Sequence, residues 1–300
     1  MDEVPKLVLS AGANIISRPI ESSEDTEDTT HQWTISSPIP GARIINTWQI
    51  YNKIWIVLAR AEDGSYNIFR SLNLNKYSLV HSHASKIYGI NYIDDGHALF
   101  CATDGWWVTT NAGITWTEVE SLSALPVGAL AAVHIDTLLW ALVSYGLDRK
   151  IYYAEYPGGD FSEVYDASGL LRKWYPAIAG GPVGMLAGAG SDLMRSDDAG
   201  ENWYIIQTVQ GTIKSIAISN QSNLPVFMIT VEPTTGEADK LYWTYDLGDS
   251  LIPVMSRVGP ISSVQSVTPT GTGDVQTMFA VLGKRASGQM AGCKIVTPGA

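Results

Sequence analysis

Two stretches of this sequence spell the same eight-residue pattern, and that pattern leaves the backbone few options. Thr109-Thr110-Asn111-Ala112-Gly113-Ile114-Thr115-Trp116 and Ser196-Asp197-Asp198-Ala199-Gly200-Glu201-Asn202-Trp203 both read Ser/Thr, any, Asp/Asn, any, Gly, any, Thr/Asn, Trp. A third stretch, Thr244 to Leu251, keeps Thr244, Asp246 and Gly248, has Ser250 in the seventh place and lacks the Trp. An Asp or Asn side chain accepts hydrogen bonds from backbone amides just ahead of it and closes a turn. Glycine enters φ > 0 without the steric penalty of other residues. The Ser or Thr hydroxyl adds a second cap, and the Trp opens the next strand with a large surface to bury. Thr109, Asn111, Gly113, Trp116, Ser196, Asp198, Gly200, Trp203, Thr244, Asp246 and Gly248 are thus expected to be hairpin fasteners, with no catalytic part.

The interval from Gly113 to Gly200 is close to twice a blade of ~40–45 residues, so a decayed copy is expected between them. Ala154 to Phe161 fills that place, with Gly158 and Phe161 at the Gly and Trp positions. Ser71 to Tyr77 is a further weak copy, with Asn75 for Gly, the next best residue for a left-handed turn. Before each fastener stand apolar runs that read as strands. Middle strands are expected at Ile54–Arg60, Ala98–Thr103, Leu138–Ser144, Met185–Gly190, Val226–Glu232 and Met278–Lys284. Third strands precede the fasteners, for example Asn67–Ser71 and Asp192–Ser196, and innermost strands begin with Arg43–Trp48. No helix-period segment competes with this order.

The fold expected is all-β: a single β-propeller of four-stranded antiparallel blades over residues 1–300. Six blades are favoured, with the strand Gln32–Ser36, opened by Trp33, completing the last blade. Seven is the alternative, because Leu7–Ser10 and Asn14–Arg18 read as a further strand pair. Residues 1–31 are then an N-terminal hairpin or arm. It carries an acidic Ser/Thr-rich insertion at 21–30, a solvated loop.

Composition agrees. Apolar residues are 45% of the 300 and charged residues 16%, enough for a large core and too few charges for a disordered chain. The net charge is −11, with five negatives in Glu21–Asp28 and no basic stripe, so no nucleic-acid partner is expected. No apolar run approaches ~18 residues, so no membrane span is expected. The N-terminus lacks the features of a secretory signal. Cys101 and Cys293 sit in apolar runs and form no CxxC pattern, and whether they are neighbours is open.

The repeated pattern resembles the Asp-box, or BNR repeat, of the sialidase-like β-propeller superfamily. Sialidases of that kind hold a substrate carboxylate with three arginines and use a Tyr nucleophile with a Glu, a separate Asp, and a Phe/Tyr-Arg-Ile-Pro motif. The nearest string here is Ile16-Ser17-Arg18-Pro19-Ile20, which departs from it at most positions. Arg70 and Arg195 lie beside the fasteners, at the rim opposite the usual site. Xyloglucanase-like relatives use two propellers and two aspartates across a cleft, and this chain has room for one propeller. Asp94-Asp95-Gly96 reads as a turn. His81 and His83 share one strand face and are too few for a metal site. His134 and Asp136 give a faint hint of a polar pocket. Trp48, Trp106 and Trp107 read as packing residues ahead of sugar platforms.

No catalytic, cofactor-binding or metal-binding residue is nominated, and no cofactor is expected. The expected function is a non-catalytic structural or binding propeller, most simply a virion protein of a tail, neck or head appendage. Its partners would be neighbouring virion subunits or a surface glycan receptor, and assembly into oligomers is open to it. The alternatives are a cytosolic (cytoplasmic) propeller scaffold and a glycan-acting hydrolase. Residues 21–30 carry no apolar side chain to bury. Deleting them should therefore leave a cooperative unfolding transition, since shortening a loop changes closure entropy only modestly. Loss of that transition in a denaturant titration would place the segment in the core.

Overall fold

The computed structural model describes residues 6–11, 14–19, 34–36, 39–51, 54–72, 74, 76–94, 96–120, 128–134, 138–144, 149–156, 162–166, 177–181, 184–219, 226–235, 237–254, 261–267, 278–284 and 290–296. They divide between two compact units. One comprises Lys6–Pro19 and Thr29–Val127, the other Met1–Pro5, Ile20–Asp28 and Gly128–Ala300.

The first unit holds three antiparallel sheets. They are β1 (Lys6–Ala11), β2 (Asn14–Pro19) and β3 (Thr34–Ser36), then β4 (Arg43–Tyr51), β5 (Ile54–Arg60), β6 (Tyr66–Ser71) and β7 (Ser78–His83). The third comprises β8 (Ile87–Asp94), β9 (His97–Ala102), β10 (Gly105–Thr109) and β11 (Thr117–Glu118). The second unit holds four. Its first two sheets are β12 (Gly128–His134), β13 (Leu138–Ser144), β14 (Lys150–Tyr156), β15 (Ser162–Asp166), and β16 (Ala177–Gly181), β17 (Gly184–Ala189), β18 (Asp192–Ser196), β19 (Tyr204–Thr208). Its last two are β20 (Thr212–Ser219), β21 (Val226–Glu232), β22 (Lys240–Thr244), β23 (Ile252–Val254), and β24 (Ile261–Val267), β25 (Met278–Lys284), β26 (Met290–Val296).

Within each sheet the strands follow chain order. First strands lie beside one another from sheet to sheet, β1, β4 and β8 in one unit and β12, β16, β20 and β24 in the other. This is β-propeller architecture. It follows from strands that are apolar on both faces in the middle of each sheet. In β17 every side chain is buried, and in β21 all but the last are. The cores therefore lie between consecutive sheets. Phe227, Ile229 and Val231 of β21 and Ile213 of β20 pack on Leu186 and Leu193 of the sheet before. Met228 and Leu241 meet Ile261 of the sheet after. In the first unit Ile56, Leu58 and Ile68 pack on Ile87, Ile90 and Phe100.

The register carries a second repeat. Pairing shifts by one residue near the start of the first strand at Ile44/Asn46, Ile87/Gly89, Ile213/Ser215 and Ile261/Ser263. Such bulges increase local twist. Cys101 is a fully buried thiol on β9.

Seven sheets are present among the described residues, the alternative number. The strand expected to close a sixth blade instead pairs with β2, with Ile15 opposite Ser36, Ile16 opposite Ile35 and Ser17 opposite Thr34. The reason is proximity in sequence. β1 and β2 form a hairpin, and the next strand adds to it, which needs far less loop closure than pairing across the whole chain. Trp33, Cys293 and the segment 21–30 fall outside the residues whose side chains are described.

Candidate functional site

Each sheet has two rims. The amide of Ala112 donates to Gly96 O at 2.8 Å, which sets the Thr109–Trp116 turn beside the β8–β9 turn. Turns after first and third strands therefore share one rim. Turns after second strands share the other.

On the first rim the three repeats adopt one geometry. The hydroxyls of Thr109, Ser196 and Thr244, each no more than 1% exposed, accept the amides of Gly113, Gly200 and Gly248 at 2.9, 2.7 and 3.0 Å. They donate in turn to Asn111, Asp198 and Asp246 at 3.0, 2.8 and 2.6 Å. The Oδ1 atoms of those three accept the amides of Thr115, Asn202 and Ser250 at 3.0, 2.9 and 2.9 Å. The glycines have φ of 80°, 101° and 90°. The residue before each glycine is left-handed too: Ala112 at 55°, Ala199 at 60° and Leu247 at 53°. The eight-letter pattern gave no sign of that.

Those left-handed residues turn an apolar side chain into the core shared with the preceding sheet. So do Trp116, Trp203 and, where the Trp is missing, Leu251. Trp203 also donates from Nε1 to Gly200 O at 2.8 Å. The weak copy at Ser71 works similarly. Leu74, with φ of 61°, donates its amide to Ser71 Oγ at 2.9 Å, and Tyr77 donates its hydroxyl to Leu74 O at 2.7 Å. The glycine-bearing part of the copy at 154–161 lies outside the described residues.

Arginines tie neighbouring turns together. Arg70, just before Ser71, donates to Ala112 O at 2.9 Å. Arg195, just before Ser196, bonds Asp197 at 2.6 and 3.1 Å and reaches Asp249 of the next turn at 3.1 Å. Tyr204 lies under that guanidinium and donates its hydroxyl to Asp197. Gln207 donates to the carbonyls of Gly248 and Asp249 at 2.9 and 2.8 Å. Among the described residues, hydrogen bonds thus link these turns to one another.

The opposite rim of the first unit is less committed. An open cleft of about 300 Å³ is lined by Gly41, Arg43, Arg60, Ala61, Glu62 and Gly64. Arg43 and Arg60 face each other across the β4–β5 pair. The β5–β6 turn is braced by Asp63, which accepts the amide and hydroxyl of Ser65 at 2.9 and 2.7 Å. Farther along, Asp104 accepts Ser85 Oγ at 2.8 Å and meets His83 Nε2 at 2.8 Å. His81 stacks on His83, and both rings lie against Phe100. Burial, followed by the neighbouring His83, pushes the His81 imidazole below its ordinary value.

A carboxylate 21 positions away from His83 in sequence joins this histidine pair. The order is Ser–Asp–His, with the carboxylate in the middle. A hydroxyl nucleophile needs a base on its own proton. Here the Ser85 hydroxyl donates to Asp104 and not to an imidazole, and the second ring nitrogen of His83 meets His81 at 3.5 Å. Among the described residues no group of three or more His, Cys, Asp or Glu side chains could hold a metal ion. Trp106 is 1% exposed and belongs to the core, and Trp107 stacks on Phe100. Gly96, with φ of 92°, makes the turn expected after Asp94. The side chains of Trp48, His134 and Asp136 are outside the described set.

No family model matches the chain, and none of the curated proteins is detectably similar in sequence. Solved structures share its fold. BBS1N in complex with ARL6DN aligns at 10% identity with a TM-score of 0.65, over 97% of this chain and 87% of that one. YCF48 bound to D1 peptide aligns at 11% identity and TM-score 0.54, over 93% of each. The GH74 xyloglucanase from Xanthomonas campestris aligns at 14% and 0.55, over 96% of this chain. An ancestral GH74 enzyme aligns at 11% and 0.57, over 86% of this chain. The chain spans 39% of the ancestral enzyme and 55% of the xyloglucanase. At these identities the likeness is one of fold.

Two predictions arise from the turns. Gly200→Val should destabilise the second unit by ~1–3 kcal/mol, the cost of forcing a branched residue into positive φ. Equal thermal stability of the variant would remove the argument. The second concerns pH. Burial disfavours ionised Asp198, but bonds from the Asn202 amide and side chain and from Ser196 outweigh it and hold the carboxyl below its ordinary 3.8. A folded value below the unfolded one stabilises above about 3.8, and that gain is lost as pH falls through the folded value. Asn111 fills the same place in the first turn, so Asp198→Asn should fold. It should also narrow the stability difference between neutral and acid pH in urea titrations. An unchanged difference would show that Asp198 is not a source of it.

Proposed function

We propose that this chain is a non-catalytic member of the Asp-box propellers that binds a protein partner through the rim opposite its hydrogen-bonded turns. The observation that carries this reading is the contrast between rims. On one, the described turns bond within themselves and to the neighbouring turn. The other presents an open, mixed-charge cleft at Arg43, Arg60 and Glu62. Open polar surfaces of this kind suit a protein segment better than a small substrate, which is usually held in an enclosed, largely apolar pocket.

Two of the fold relatives point the same way: one has a bound peptide and the other is in a complex. The glycan-acting reading draws only on the fold shared with the GH74 enzymes. The Ser–Asp–His arrangement offers no activated nucleophile to strengthen it. Neighbouring subunits of a virus particle are the proposed partners, and a surface glycan is the second choice.

The purified chain should show no turnover of fluorogenic sialosides, xyloglucan or other β-glucans. Glycosidase chemistry needs a placed acid and a nucleophile or base acting together, and without that pair the rate enhancement is out of reach. Hydrolysis above the buffer rate, abolished by substituting one carboxylate, would replace this proposal with the enzymatic one.

A further inference from the structure

We propose that Arg43 and Arg60 form a receptor for a carboxylate, and that the segment bound there is an acidic peptide of the protein partner. This rests on the protein-binding reading and names the chemistry of the segment. Arg43 opens β4 and Arg60 ends β5, and the two are direct cross-strand partners. Like charges directly opposite on a sheet are destabilising. An anion between the two guanidiniums relieves that repulsion.

Glu62 lines the same cleft, but among the described residues no ion pair joins it to either arginine. Neither guanidinium has a carboxylate within ion-pair distance there. Glu62 leans over Gly41, its Oε1 3.3 Å from where a side chain on that glycine would begin. Gly41, with φ of 71°, has no side chain to displace that carboxylate. Asp63 spends its carboxylate on Ser65. The Arg60 guanidinium lies 5.9 Å from the Tyr66 ring centroid, which steadies it without neutralising it. Contrast Arg195 on the other rim, which holds two aspartates and a tyrosine.

Two planar donors at the mouth of one cleft match the two oxygens of a carboxylate, in fork geometry that a lysine would not reproduce. The chain as a whole carries −11. A local positive site on an acidic protein selects for partners that bring the acid to that spot and repels indiscriminate ones. An extended segment also fits the cleft better than a free anion, because the cleft is open along the rim.

The test is a random dodecapeptide display library panned on the full chain, followed by affinity measurements on the enriched peptides. The expected result is enrichment of Asp- and Glu-containing peptides. Arg43→Gln and Arg60→Gln should each weaken them about tenfold or more, as expected for loss of a charge-assisted bond. Raising salt should weaken them too, and replacing their acidic residues by Asn and Gln should abolish binding. Inorganic phosphate in the same assay separates a free-anion site from a peptide site. Competition at low millimolar phosphate as strong as that of the peptide would overturn the peptide assignment. Both arginines are exposed, so unchanged melting of the variants confirms that folding is not the cause. Enriched peptides that are neutral, or indifferent to both substitutions, would overturn the carboxylate receptor and leave protein binding standing. A library that yields no binder would overturn both.

Discussion

The structure depends on a buried hydroxyl that accepts the amide of a glycine four residues later. Thr109, Ser196 and Thr244 make that bond at 2.7–3.0 Å with almost no exposure. A net hydrogen bond is worth only about 1 kcal/mol, but an orphaned buried donor costs about 1–3. The bond therefore decides which way the chain goes after its third strand. It holds two consecutive left-handed residues, and the first of them, although not a glycine, is repaid by core burial. The same turn sends Trp116, Trp203 or Leu251 backward onto the preceding sheet. Local hydrogen bonding and inter-sheet packing are set by one short segment.

That economy leaves the two rims with different chemistry. Turn residues on one rim bond each other and the neighbouring turn. The opposite rim is built from short second-to-third-strand turns that need only a brace, such as Asp63 on Ser65, or a latch. In the second unit Lys214 and buried Asp239 form such a latch, both bonding the backbone of Ile261 at 2.6 Å. Side chains on that rim are freer to face a partner. The division fits the contrast between Arg43, Arg60 and Glu62, which line a cleft, and Arg195, Asp197 and Asp249, which bond one another.

Much of the fold was legible because middle strands announce themselves. Ile54–Arg60, Leu138–Ser144, Val226–Glu232 and Met278–Lys284 have the bounds expected from their apolar runs. Asp192–Ser196 does as well, pinned by the pattern that follows it. What was not legible depends on pairing. The partner of the strand after Trp33 is a choice between near and distant edges, which composition does not encode. Asp104 joins His83 only because β7 packs on the turn of the next sheet. Arg43 and Arg60 become a pair only through a register containing a bulge at Ile44/Asn46. The left-handed conformation of Ala112, Ala199, Leu247 and Leu74 was not legible either, since alanine and leucine do not favour positive φ.

Arg70 and Arg195 occupy the same place, one residue ahead of the buried hydroxyl, and both reach forward to the following turn. Force applied to the end of one third strand is thereby passed to the neighbouring sheet through a guanidinium, as well as along its own hairpin. A sheet pulled at this rim cannot peel away alone until its arginine lets go. Within its own unit each of these two turns is therefore stiffened toward its neighbour, so that a load on one third strand is shared between two sheets.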